Sequence, residues 1–96
     1  MGRLMTLVEA VERLGEFDIN DTIYAAVPWT EHSEVVVAPE PKPGSLPTEA
    51  AERGLKYFIE VNIAIDFLED WIRSLKRKPA TLEMCQRLIQ YATSDA

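Results

Sequence analysis

One cysteine, one histidine and four glycines are all that 96 residues hold of the types most used for nucleophile, metal and phosphate chemistry. The lone Cys85 excludes an intramolecular disulfide framework and fits a reducing compartment. The lone His32 would leave most of a metal shell to carboxylates, since metal sites need about three or four convergent ligands. Gly2, Gly15, Gly44 and Gly54 are too scattered to form a dinucleotide fingerprint or a Walker loop, and no serine sits in a nucleophile elbow. No apolar run approaches the roughly 20 residues of a membrane helix. Glu9, Glu12 and Arg13 interrupt what would be the apolar part of a signal peptide. The expectation is a soluble cytoplasmic chain that binds no cofactor and is not an enzyme working alone. Met1-Gly2-Arg3-Leu4-Met5-Thr6 matches the loose N-myristoylation pattern, but Thr6 has a better structural use as a helix cap.

What is present is the composition of a globular domain, 47% hydrophobic and 27% charged. A chain of this length buries roughly two-thirds of the surface that its unfolded form exposes. That is enough for one core, so residues 1–96 are read as a single domain. The net charge of −6 is unevenly placed. Between Glu9 and Glu40, eight carboxylates (Glu9, Glu12, Glu16, Asp18, Asp21, Glu31, Glu34 and Glu40) face Arg13 alone, a local net of −7. From Leu55 onward six acids balance six bases. Such a field keeps a protein soluble, repels nucleic acid and favours a basic protein partner.

Thr6 and Glu9 have capping-box spacing, and Leu7, Val8, Val11 and Leu14 recur at helical spacing, so a helix is expected over 7–14 with Gly15 ending it in the left-handed region. Thr22–Val27 reads as a strand stopped by Pro28. Glu34–Ala38 reads as a second strand, its three consecutive valines suggesting cover on both faces or a central position. The short loop between them makes an antiparallel pair the simplest arrangement. Residues 39–47 hold four prolines in nine positions and should be an extended surface loop. Thr48 is placed to cap a short helix over 49–53, with Gly54 closing it. Leu55, Tyr57, Ile59 and Val61 alternate as one face of a third strand. Asn62 is placed to cap a long helix ended by Pro79, with Ile63, Phe67, Leu68, Trp71, Ile72 and Leu75 as its apolar stripe and Glu69–Arg73 as an i,i+4 pair. Thr81 is placed to cap a last helix, in which Cys85, Leu88, Ile89 and Ala92 share a face. The expected fold is α+β, in the order α-β-β-α-β-α-α, with helices on a three-stranded, partly antiparallel sheet.

Few residues stand out for chemistry. His32, beside Glu31 and Glu34, could be a ligand or a base, but a surface histidine explains it as well. Cys85 lies on an apolar helix face, where a free cysteine is ordinarily core. Asp66 and Asp70 are one turn apart, but on what reads as a solvated face. Basic Arg73, Lys76, Arg77 and Lys78 gather where a helix C-terminus favours cations. Trp29 follows a strand end inside the acidic stretch and either anchors a partner or covers the sheet edge. Trp29, Glu31, His32 and Glu34 are therefore the candidate partner-binding residues.

Pro28-Trp29-Thr30, Gly54-Leu55-Lys56-Tyr57-Phe58, Lys78-Pro79-Ala80-Thr81, Tyr91 and Ser94-Asp95-Ala96 together resemble a family of small bacterial proteins of unassigned function. The resemblance runs from about Thr22 to the end and implies bacterial origin and the same element order. It brings no activity, cofactor or site residue. This chain departs from the family in its proline-rich loop and in stopping at Ala96, where the relatives continue with a few apolar residues. The leading functional expectation is an acidic protein–protein interaction module, one form being an immunity or inhibitor protein. The alternatives are a structural homo-oligomeric subunit and a small-ligand or metal-binding domain.

Overall fold

The computed structural model describes residues 5–94. The first four residues of the myristoylation pattern, and the terminal Asp95-Ala96 of the family resemblance, lie outside them. The elements run β1 (Met5–Thr6), α1 (Leu7–Glu12), a single 3₁₀ turn (Leu14–Glu16), β2 (Thr22–Ala25), β3 (Glu34–Ala38), α2 (Thr48–Glu52), β4 (Lys56–Glu60), α3 (Val61–Ser74) and α4 (Thr81–Ser94). The sheet has four antiparallel strands in the order β1-β3-β2-β4, so the expected three-stranded sheet and the order beginning with a helix are both corrected. The missed strand is only two residues long, below what any periodicity can signal.

Thr6 explains how so short a strand persists, because the same residue ends β1 and caps α1. Its hydroxyl accepts from the Glu9 amide at 3.3 Å, while Glu9 Oε1 accepts from the Thr6 amide at 2.8 Å. The expected capping box is therefore present. The expected end of that helix is not. Regular helix stops at Glu12, and Gly15 lies in the 3₁₀ turn rather than at a left-handed cap. Among the described residues only Gly44 (φ +82°) and Gly54 (φ +71°) have positive φ, and Gly54 does close α2 as expected.

β3 is a central strand with Val35 and Val36 buried on opposite faces, as the valine run indicated. One face of the sheet carries the main core, where Ile23, Ala25, Val35, Phe58 and Ile59 meet Leu7, Val11, Ala64, Leu68, Cys85 and Leu88 from α1, α3 and α4. Burying each such aliphatic side chain fully is worth about 1.5–3 kcal/mol. The other face is a small cluster of Tyr24, Val36, Ala50 and Leu55, with Leu46 from the proline-rich segment packed against it.

β4 departs from strict alternation. Ile23 pairs with Ile59 and Tyr24 with Tyr57, so Phe58 is an extra residue in β4, a bulge. Phe58 and Ile59 consequently both enter the main core, while Leu55 belongs to the second face and Tyr57 lies beside Tyr24. The expected single face of Leu55, Tyr57, Ile59 and Val61 is split by this one insertion.

The helix boundaries also shift. Thr48 is the first residue of α2, whose N-cap is Pro47 with no side-chain bond. α3 begins at Val61 with Glu60 as N-cap, and Asn62 instead donates its side-chain amide to the Ile19 carbonyl at 3.1 Å. α3 ends at Ser74, before Pro79, so Lys76, Arg77 and Lys78 lie in the connection and not on the helix. Arg73 pairs with Asp70 at 2.9 Å and not with Glu69. Thr81 is the first residue of α4. Glu83 accepts the Ala80 amide at 3.0 Å and a bidentate pair of bonds from Arg77 at 2.9 and 2.7 Å. Cys85, Leu88 and Ala92 are buried on one face of α4, as expected. Trp71, expected in the core, is half-buried at the α3–α4 seam.

Candidate partner-binding site

Residues 26–33 link β2 to β3 and, with Glu34 at the start of β3, hold all four candidate residues. Ser33, a buried polar residue, organises the turn. Its hydroxyl accepts from the Thr30 amide at 2.9 Å and donates to the Pro28 carbonyl at 3.3 Å, and its own amide donates to the Thr30 carbonyl at 3.0 Å. The turn is also tied to α1. The Leu7 amide donates to the Ser33 carbonyl at 2.8 Å and the Val8 amide to the Glu31 carbonyl at 3.0 Å. With the Glu9 amide on Thr6, the first three amides of α1 are satisfied locally. The loop is therefore fixed by backbone bonds and by the Ser33 hydroxyl.

Those side chains divide between two places. Trp29 is half-buried, with its indole N–H donated to the Ala25 carbonyl at 3.3 Å and its ring edge-on to Phe58 at 4.9 Å. It lines an apolar groove of about 170 Å³ with Tyr57, Phe58, Ile63 and Tyr91, between β4 and the two long helices. His32 and Glu34 instead line an open hollow of about 290 Å³ with Met5, Thr6 and Glu9, at the β1 edge. The His32 side chain is 81% exposed, and its Nε2 stands 3.9 Å from Glu31. Glu34 has Arg53 at 3.9 Å, a long contact that leaves its charge largely unneutralised. The loop thus brings Glu31, His32 and Glu34 together and sends Trp29 to another surface.

Chemistry beyond charge and shape is sparsely supported. Among the described residues no three His, Cys, Asp or Glu side chains stand close enough to share a metal ion. The Cys85 thiol is pushed up to about 11, by burial first and by nearby Glu31 second, so at neutral pH it is a protonated core group.

Sequence reasoning missed how differently the charges of the two halves are used. In the second half Arg73 is paired with Asp70 at 2.9 Å and Arg77 with Glu83 at 2.7 Å. In the first half Glu12, Glu16, Asp18, Asp21 and Glu40 form no ion pair among the described residues. Burial and then Asp18 push the Asp21 carboxyl above its ordinary range, which marks how little compensation the stretch has. Also missed was the second face of the sheet. The Tyr24 hydroxyl there is buried and makes no hydrogen bond of good geometry, its polar neighbour being the Thr22 side chain, which partly offsets the upward push of burial on the phenol. No signal in the residue pattern separates such a tyrosine from an ordinary strand residue. Among the described residues no helix is long and apolar enough to cross a membrane. Compared with known proteins, the chain matches no family model, no curated protein and no solved structure.

Proposed function

We propose that this protein is an acidic protein–protein interaction module that meets a basic partner, one form of which is an immunity or inhibitor protein. The observation that carries the reading is the unequal use of charge: Arg73 and Arg77 of the second half are ion-paired internally, whereas five carboxylates of the first half form no ion pair among the described residues. An uncompensated field of one sign speeds and orients encounter with an oppositely charged protein. The rigid 28–34 loop supports the same reading, because it holds Glu31, His32 and Glu34 at the surface without further ordering cost. A reducing cytoplasmic setting, and kinship with the small bacterial family that Pro28-Trp29-Thr30 and Gly54–Phe58 resemble, are part of this proposal. The test is affinity capture from host lysate at low and high salt, with the captured protein then purified and measured against Glu31→Gln/Glu34→Gln. A basic partner lost at high salt and weakened by the double variant supports the module. Unchanged affinity in the variant removes the loop from the interface.

A second reading, a self-associating subunit, has one observation in its favour. β4 is an edge strand, and antiparallel pairing with a second copy about Phe58 would set Lys56 opposite Glu60. The bulge at Phe58 works against it, since bulges protect edges from such pairing. Light scattering at two concentrations decides between monomer and dimer.

A further inference from the structure

The apolar groove beside β4 has no part in the charge-based reading. β4 pairs with β2 alone, so among the described residues the other side of the strand has no ladder partner. Three consecutive residues of that edge strand, Tyr57, Phe58 and Ile59, line the groove, and Trp29, Ile63 and Tyr91 complete its walls. Trp29 is fixed there twice over. Its indole N–H is donated to the Ala25 carbonyl at 3.3 Å, and its ring meets Phe58 edge-on at 4.9 Å. The bulge contributes to that contact by turning Phe58 into the main core. Tyr57 is 43% exposed, so the strand can be reached from outside. The groove holds about 170 Å³. A cavity of about 150 Å³ accepts a benzene ring, so one aromatic side chain fills the space.

An open strand edge with a side-chain groove beside it suits capture of an extended segment. Main-chain bonds to the edge give affinity, and the groove selects one side chain. The bulge deters the pairing of two copies that are both bent at the contact, but a flexible segment can follow the bent strand. The ends of β4 indicate what such a segment carries. Lys56 and Glu60, the first and last residues of the strand, form no ion pair among the described residues. The Tyr57 hydroxyl reaches Glu60 only at 3.4 Å, which leaves the carboxylate's charge in place. An antiparallel segment therefore meets a carboxylate at one end, an apolar groove in the middle and an ammonium at the other end.

We propose that β4 is a docking edge for an extended, antiparallel segment of the basic partner. The segment places an aromatic side chain in the Trp29 groove, a basic residue beside Glu60 and an acidic residue beside Lys56. The proposal rests on the acidic-module reading and supplies what that reading lacks, an anchor of defined chemistry in place of a diffuse field. The field of the first half speeds encounter, and the edge selects the segment.

The test uses the full chain and a capped heptapeptide, acetyl-Thr-Arg-Thr-Phe-Thr-Glu-Thr amide. It has no net charge, so it tests the edge apart from the field. The Trp29 indole N–H and the Tyr57 and Phe58 amides are followed by NMR during titration. The expected result is a saturable shift centred on these three residues. Replacing the peptide's phenylalanine with serine should weaken binding roughly tenfold, because the buried ring is lost. Exchanging its arginine and glutamate should weaken binding about threefold, and Glu60→Gln in the protein should reduce that difference. Varying the peptide leaves the protein's fold untouched. The peptide should also displace the basic partner captured at low salt. No saturable shift, or equal binding of the serine or the charge-exchanged peptide, overturns the docking edge. A salt-sensitive basic partner that the peptide fails to displace overturns this occupant and leaves the module standing. Peptide binding with no basic partner captured overturns the module, and with it the partner as occupant. A free protein that is dimeric and becomes monomeric with the peptide gives the edge to a second copy and overturns the proposal.

Discussion

Replacing Tyr24 with phenylalanine should leave the protein as stable as before or make it more stable, against the usual result for a buried tyrosine. The ring of Tyr24 is fully buried and packs with Val36, Ala50 and Leu55, and phenylalanine keeps all of that area. Only the hydroxyl is lost. A buried hydroxyl that hydrogen-bonds contributes about 1 kcal/mol, so its removal ordinarily destabilises by that amount. A buried hydroxyl without a partner costs about 1–3 kcal/mol instead, and its removal recovers some of that cost. Since the Tyr24 hydroxyl has no partner, the expected change is about 0 to +1 kcal/mol in favour of the variant. Urea unfolding at neutral pH, followed by tryptophan fluorescence, measures it through the midpoint at constant slope. Tyr57→Phe is the control, because its exposed 3.4 Å bond to Glu60 should make the change close to neutral. A loss of about 1 kcal/mol or more in Tyr24→Phe would mean that the hydroxyl is bonded in solution, Thr22 being the side chain placed to bond it.

Ser33→Ala should destabilise by about 1–2 kcal/mol, because Thr30 and Pro28 each lose a bond to the hydroxyl in a part-buried turn; thermal melting measures this, and hydrogen exchange should show protection lost first at Leu7 and Val8. Glu83 is held down to about 2, chiefly by its hydrogen bonds from Arg77 and then by the Ala80 amide. Its folded-state value lies below the unfolded 4.5, so its contribution is fully present above that pH and is lost as pH falls toward about 2. Acid titration of wild type against Glu83→Gln should therefore give melting curves that converge across this window, with the variant the less stable at neutral pH. Cys85, buried and with its thiol pushed up to about 11, should resist a thiol-modifying reagent at pH 7.5 until the protein is unfolded in urea, and rapid modification of the native protein would contradict the core assignment.

Much of the fold was legible where one residue had one strong local role. Thr6 with Glu9, the triple valine of β3, Gly54 after α2 and the Cys85–Leu88–Ala92 face were all readable, because capping, burial on two faces, positive φ and helical spacing each leave a local pattern. The failures share a different cause. β1 exists only through pairing with Val35 and Glu34, a partner distant in the chain. The bulge at Phe58 depends on register against β2, and one added residue reverses which face each later side chain takes. Asn62 was available as a cap but is used to hold the Ile19 carbonyl, a contact 43 residues away. The same limit applied to the candidate site. Trp29, Glu31, His32 and Glu34 are neighbours in sequence, yet the turn directs Trp29 into a groove that the other three do not line. Tyr24 and Tyr57 are far apart in sequence and meet only because β2 and β4 pair.

The central claim is that the unpaired carboxylates of the first half recognise a basic protein, and the salt dependence of that association tests it most directly. Binding of the captured partner is measured across ionic strength for wild type and for Glu12→Gln/Glu16→Gln/Asp18→Asn, three changes at exposed positions outside the core. Exposed charges are screened beyond a Debye length of about 10 Å at 0.1 M salt. The account predicts wild-type affinity that falls steadily with salt and a shallower dependence in the variant. Association that is indifferent to salt, or a slope that the three substitutions leave unchanged, would contradict it.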